Sequence, residues 1–203
     1  WECASLDGSG QAIVARRFDA AGNPLGGEIL VNTTTALDQR NPSLAADAAG
    51  NFVVIWESED QDGDFFGVFG QRFDASGAAL GGEFQVNTTT VDSQTNASVA
   101  MNASGSFVVS WDSYDQDGDD WGIYARRFDA SGAALGGEFQ VNTTTSDYQI
   151  RPDLDIDAAG GFVAVWTSNR QDGSQEGVFG RRFDASGTAL GGEFQVNTST
   201  GAA

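Results

Sequence analysis

The chain contains no histidine and no lysine; its ten basic residues are all arginine, set against 29 aspartates and glutamates. The usual general bases and Schiff-base nucleophiles are therefore missing, and the sequence on its own argues for a protein that is not an enzyme. One cysteine, Cys3, is too few for a disulfide framework. Three prolines among 203 residues, and no apolar run of about 18, leave neither a polyproline segment nor a membrane-spanning helix. A formal net charge of −19 repels phosphate backbones and anionic lipid surfaces, which excludes nucleic acid and membrane insertion as partners. What is abundant is glycine, 27 residues, together with β-branched and aromatic side chains, a composition unfavourable to helices.

The organisation is a repeat. Arg17, Arg72, Arg127 and Arg182 each lie in an Arg-Phe-Asp-Ala tetrad, and Trp1, Trp56, Trp111 and Trp166 recur on the same step of 55 residues. Residues 74–90 and 129–145 are identical, and residues 184–200 differ only at Thr188 and Ser199. A fixed period of this length marks solenoids and propellers. The whole of 1–203 reads as one array: 1–55 holds a partial first blade and the start of the second, followed by 56–110, 111–165 and 166–203.

Within the second unit, four short runs are bounded by Gly, Asp and Asn turns. They are Pro42–Ala46, the continuously apolar Phe52–Trp56, Gly67–Phe73 and Glu83–Asn87. An apolar run without alternation suits a strand covered on both faces. Hairpin turns imply antiparallel pairing, which a parallel β-helix does not use. The expected fold is all-β, made of tandem four-stranded antiparallel blades that are β-propeller-like, either partial or completed by other chains. On this count the first unit keeps only its third and fourth strands, residues 10–31. Open strand edges then call for self-association or the remainder of a longer polypeptide.

Three sets of residues are candidates for chemistry. Asp60, Asp62 and Asp64, and their counterparts Asp115, Asp117 and Asp119, alternate around an Asp-Gly turn, as oxygen ligands of Ca²⁺ would; Asp-Gly is equally a plain turn dipeptide. Phe66 and Trp121 stand beside those loops, where an aromatic ring either stacks on a sugar or packs on the next blade. Asn32, Asn87, Asn142 and Asn197 open formal glycosylation sequons and equally make polar turns. Trp56, Phe52, Phe73 and Phe84 recur as core. Arg72 and Glu83 recur as an ion pair, or as strand-to-turn hydrogen bonds, within each blade.

The consensus built from Phe52 to Trp56, Gln61 to Gly63, Gly67 to Ala75 and Leu80 to Thr90 resembles repeats of large secreted bacterial proteins, often found with cadherin-like or haemolysin-type calcium-binding modules. The resemblance covers nearly the whole chain. It implies an extracellular or cell-surface, secreted structural protein serving adhesion, surface structure or filament assembly, with Ca²⁺ as a stiffening ion. A lectin-like propeller binding glycans is the alternative. A distant likeness to the Asp-box of sialidase propellers, in Asp47-Ala48-Ala49-Gly50, departs from that motif in the spacing of its glycine.

Overall fold

A computed structural model describes residues 1–173 and 175–199. Every regular element among them is a strand, and the strands fall into four antiparallel sheets. The second blade is β4 (Gln39–Ala46), β5 (Phe52–Glu59), β6 (Phe66–Phe73) and β7 (Phe84–Gln85), joined in sequence order by hairpins. The third repeats it as β8 (Gln94–Met101), β9 (Phe107–Tyr114), β10 (Trp121–Phe128) and β11 (Phe139–Gln140), and the fourth as β12 (Gln149–Ile156), β13 (Phe162–Asn169), β14 (Glu176–Phe183) and β15 (Phe194–Gln195). The first blade holds β2 (Gln11–Ala15) and β3 (Ile29–Leu30), and also β1 (Glu2–Ala4), the tail of its second strand. That strand was missed because only three of its residues precede the turn, too few to show a pattern. The expected blades are present.

The first strands β4, β8 and β12 pack on one another, so the blades fan around them. Each second strand is covered on both faces, which its unbroken apolar run anticipates. Val53 and Ile55 face the third blade with Val68 and Val86, against Phe107, Trp111, Tyr124 and Phe128. Trp56 points the other way with Phe52, Phe69 and Phe73, against Ile13 and Val31 of the first blade. Trp56, Trp111 and Trp166 are at most 1% exposed, so one indole closes each junction. Stacked rings at the far end extend the same contact, Phe107 on Phe128 at 4.8 Å and Phe162 on Phe183 at 4.8 Å.

Polar side chains fix the spacing between blades, and several do not act where the sequence places them. Asn87 is 2% exposed: its Oδ1 accepts from Val68 N at 2.8 Å, and its Nδ2 donates to Gln94 Oε1 of the next blade at 2.9 Å. Asn32 and Asn142 are buried in the same role, so these three sequons are closed to glycosylation in the folded chain. Arg72 and Glu83 do not pair within their blade. Arg72 donates to Ala130 O at 2.8 Å and to Ser131 O, both on the following blade. Glu83 accepts from Thr33 N at 2.7 Å and Thr34 Oγ1 at 2.9 Å on the preceding one. Strict repetition of an Arg and a Glu signals a contact, but not whether it lies within a unit or between units.

Candidate ligand-binding face

Where the units differ, they differ mostly in the first strand and at one end of the second and third. That end carries the loops 60–65, 115–120 and 170–175 and the crossings from each blade to the next, tied together by Glu59 N to Asp38 O at 2.9 Å and Tyr114 N to Ser93 O at 3.0 Å. Residues 74–90, away from the first strand, are copied unchanged into 129–145.

Each first strand carries a bulge, after Arg40, Thr95 or Ile150, and the bulge residue adopts a left-handed backbone: φ is 51° at Asn41, 52° at Asn96 and 56° at Arg151. The freed N–H donates to a carboxylate on the preceding blade: Asn41 to Glu2 at 2.6 Å, Asn96 to Glu57 at 2.7 Å and Arg151 to Asp112 at 3.3 Å. Glu57 and Asp112 are at most 1% exposed, yet their environments differ. Glu57 receives Arg40 Nε at 2.9 Å and Asn41 Nδ2 at 3.0 Å. Asp112 receives Asn96 Nδ2 at 2.8 Å, and Thr95 stands where an arginine would have matched Arg40. Burial, with a smaller push from the Glu57 charge, lifts the Asp112 carboxyl to about 7. Neither acid stood out in the sequence, although Glu2, Glu57 and Asp112 recur at one position.

The aromatic positions diverge by the same exchange. Arg40 lays its guanidinium on the Phe66 ring, 3.6 Å from the centroid, so that ring's face is taken. At the next junction Thr95 is too short to do so, and Trp121 keeps one ring partner, Tyr114, edge-on at 5.2 Å. Tyr114 is 42% exposed and Trp121 half-buried, both on the blade face turned toward the fourth blade. From that blade Tyr148 donates to Glu176 Oε1 at 3.0 Å, and Arg170 lies 3.7 Å from Asp147. The hydrogen bond to Glu176 raises the Tyr148 phenol above its ordinary value, with Asp120 and Asp147 adding negative charge around it. An aromatic corner is thus bordered by carboxylates, a phenol and a guanidinium.

The acidic loops do not gather their carboxylates, and among the described residues no three acidic, cysteine or histidine side chains are placed to hold one metal ion. Asp62 turns inward, accepting from Gln85 Nε2 and Asn87 Nδ2, each at 3.1 Å. It lies so close over Gly67 that a Cβ there would meet Asp62 Oδ2 at 2.3 Å. Asp117 does the same with Gln140 and Gly122. Asp64 and Asp119 turn toward the crossings, accepting from Asp92 N at 2.9 Å and Asp147 N at 3.2 Å, while Asp60 and Asp115 are exposed loop starts with φ of 55°. The alternation of Asp is the signature of this packed turn, whose glycine makes room for the inward carboxylate.

No protein-family model matches the chain, and no curated protein does. Solved structures share the fold at low identity. A protein of unknown function from Dyadobacter fermentans superposes with a TM-score of 0.63 at 11% identity, over 91% of this chain and 58% of the other. A thermostable family-43 glycoside hydrolase gives 0.52 at 12% identity, over 80% and 55%. An α-L-arabinofuranosidase from Lactobacillus brevis gives 0.52 at 13%, over 92% and 65%. The chain thus spans between about half and two thirds of these proteins' lengths. The all-β, propeller-like blade assignment is borne out. The expectation of a protein that is not an enzyme is overturned: the fold is one that glycoside hydrolases use, and their chemistry needs carboxyl groups rather than histidine or lysine.

Proposed function

We propose that the chain is a glycan-binding, propeller-like module of an extracellular repeat protein, with its site at the junction of the third and fourth blades. The observation that carries this reading is the Tyr114–Trp121 corner, whose rings are left open by the exchange of Arg40 for Thr95. A sugar ring presents a C–H face that stacks on an indole and a rim of hydroxyls that hydrogen-bond to carboxylates and phenols. Asp120, Asp147, Glu176 and Tyr148 supply that rim. The fold neighbours that act on carbohydrate agree with the ligand class. In a larger array, sites of this kind add through avidity, which suits an adhesive surface protein.

Trp121→Ala is expected to lower affinity for the best ligand on a glycan array by tenfold or more, measured by titration calorimetry. Phe66→Ala, whose ring already holds Arg40, is expected to leave it within about twofold. Absence of binding across a broad array, or equal losses in the two variants, would defeat the reading.

A second reading is glycan hydrolysis, favoured by the Asp112 carboxyl, which at about 7 is poised to hold a proton near neutral pH. Release of sugar from arabinan oligosaccharides by the chain, lost in Asp112→Asn, would favour it. No turnover would leave the binding reading standing.

A further inference from the structure

The two ends of the array expose opposite halves of one interface. On the fourth blade Val178, Phe194 and Val196 are 37%, 42% and 49% exposed, whereas their counterparts Val68 and Val86, like Ile123 and Val141, are fully buried against the next blade. On the first blade Trp1 and Phe18 are 50% and 54% exposed; their counterparts Trp56 and Phe73, Trp111 and Phe128, and Trp166 and Phe183 are at most 3% exposed against the preceding blade. The apolar surface that each internal junction buries thus recurs at the ends, split between them.

The polar contacts divide the same way. Arg126 donates to Val86 O at 2.9 Å and Arg181 to Val141 O at 3.0 Å, both backward across a junction; Arg16 is the first blade's equivalent. Glu83, Glu138 and Glu193 reach back to Thr33 and Thr34, Thr88 and Thr89, and Thr143 and Thr144; Glu28 is their equivalent. Arg17, Arg72 and Arg127 reach forward to Ala75, Ala130 and Ala185 carbonyls; Arg182 is theirs. Among the described residues, Arg16, Glu28 and Arg182 make no hydrogen bond or ion pair.

We infer that the fourth blade of one copy receives the first blade of a second copy, head to tail, by repeating the internal junction. Phe18 of the incoming copy then enters against Val178, Phe194 and Val196. Arg16 meets the Val196 carbonyl, Glu28 meets Thr198 and Ser199, and Arg182 reaches the Ala20 carbonyl. The occupant is a second copy because this chain already makes the same contact with itself at each of its junctions, with the same residues at the same offsets. Such an interface uses different surfaces on its two sides, so each added copy leaves both halves free at the ends and assembly continues into a ring or a filament. The first blade brings no first strand, so the contact is smaller than an internal one and its occupancy rises with concentration. This inference stands apart from the glycan site, which lies between the third and fourth blades of one chain.

Sedimentation equilibrium of the chain, alone and as two variants, tests it. The unaltered chain is expected to rise in mass with concentration above the 21.3 kDa of one copy. Val178→Asp damages the receiving face and Phe18→Asp the incoming one; both positions are exposed, so both variants are expected to melt within a few degrees of the parent while staying monomeric alone. Mixed in equal amounts, each supplies the face the other lacks, and a species of twice the monomer mass is expected. Val196→Asp replaces Val178→Asp should the latter melt early. A monomeric parent at all concentrations, variants that still assemble, or a mixture that stays monomeric would overturn the inference.

Discussion

Trp111→Ala is expected to lower the melting temperature by about 6 to 20 °C, the largest loss of any single substitution in the chain. The indole is 0% exposed and lies between the second and third blades, against Val68, Val86 and Tyr124. Truncating a buried tryptophan costs about 3 to 5 kcal/mol, part from lost transfer energy and part from the cavity left behind. In a domain of this size each kcal/mol shifts the midpoint by about 2 to 4 °C. The position matters as much as the volume. A repeat array holds together through nearest-neighbour interfaces, and this junction joins one half of the chain to the other. Melting is therefore expected to broaden or split in two as the halves uncouple. Trp1→Ala removes the same side chain at 50% exposure with no blade against it, and is expected to shift the midpoint by no more than a few degrees in dilute solution. Calorimetry of the two variants side by side checks this; equal shifts would show that the indoles do not close the junctions.

The blades were legible because each physical requirement leaves a periodic mark. A strand covered on both faces is an unbroken apolar run, Phe52 to Trp56; a turn is Asp-x-x-Gly; and 55-residue identity superposes the marks from unit to unit. The bulge at Asn41 left no mark, since a left-handed asparagine in a polar stretch looks like any loop residue, and β4 therefore begins three residues before the expected Pro42. The site was legible only in part. Trp121 stood out as an aromatic beside a loop, but its difference from Phe66 lies in the first strand, at Arg40 and Thr95, residues far from either ring in sequence. Asp62 and Asp117 were read for their charge, when hydrogen bonds to Gln85, Asn87 and Gln140 occupy them. Repetition reveals what every junction needs; it hides what one junction does differently, and Asp112 belongs to that second kind.

Asp112→Asn is expected to flatten the dependence of stability on pH between about 4 and 8. In the folded chain this carboxyl is 1% exposed and raised to about 7, above the ordinary value of 3.8 that it regains on unfolding. The folded state therefore binds a proton that the unfolded state has released, and stability falls as pH rises through this interval. Below the unfolded value the contribution is complete, and above about 7 it is gone. A shift of roughly three units corresponds to about 4 kcal/mol at 1.36 kcal/mol per unit. Asparagine keeps the shape: its carbonyl oxygen accepts from Arg151 N, and its amide meets Asn96 once that side chain turns its own oxygen inward. The variant is thus expected to melt higher than the parent at pH 8 and close to it at pH 4 to 5. Self-repulsion of the other carboxylates, part of the net −19 charge, gives both proteins a shared downward slope, so the difference between the two curves is the quantity that reports Asp112. Thermal melts across the range measure it. Parallel curves would mean that the carboxyl is ionised throughout, leaving Asp112 only the structural task of holding the Arg151 bulge, and with it would go the proton that the hydrolytic reading requires.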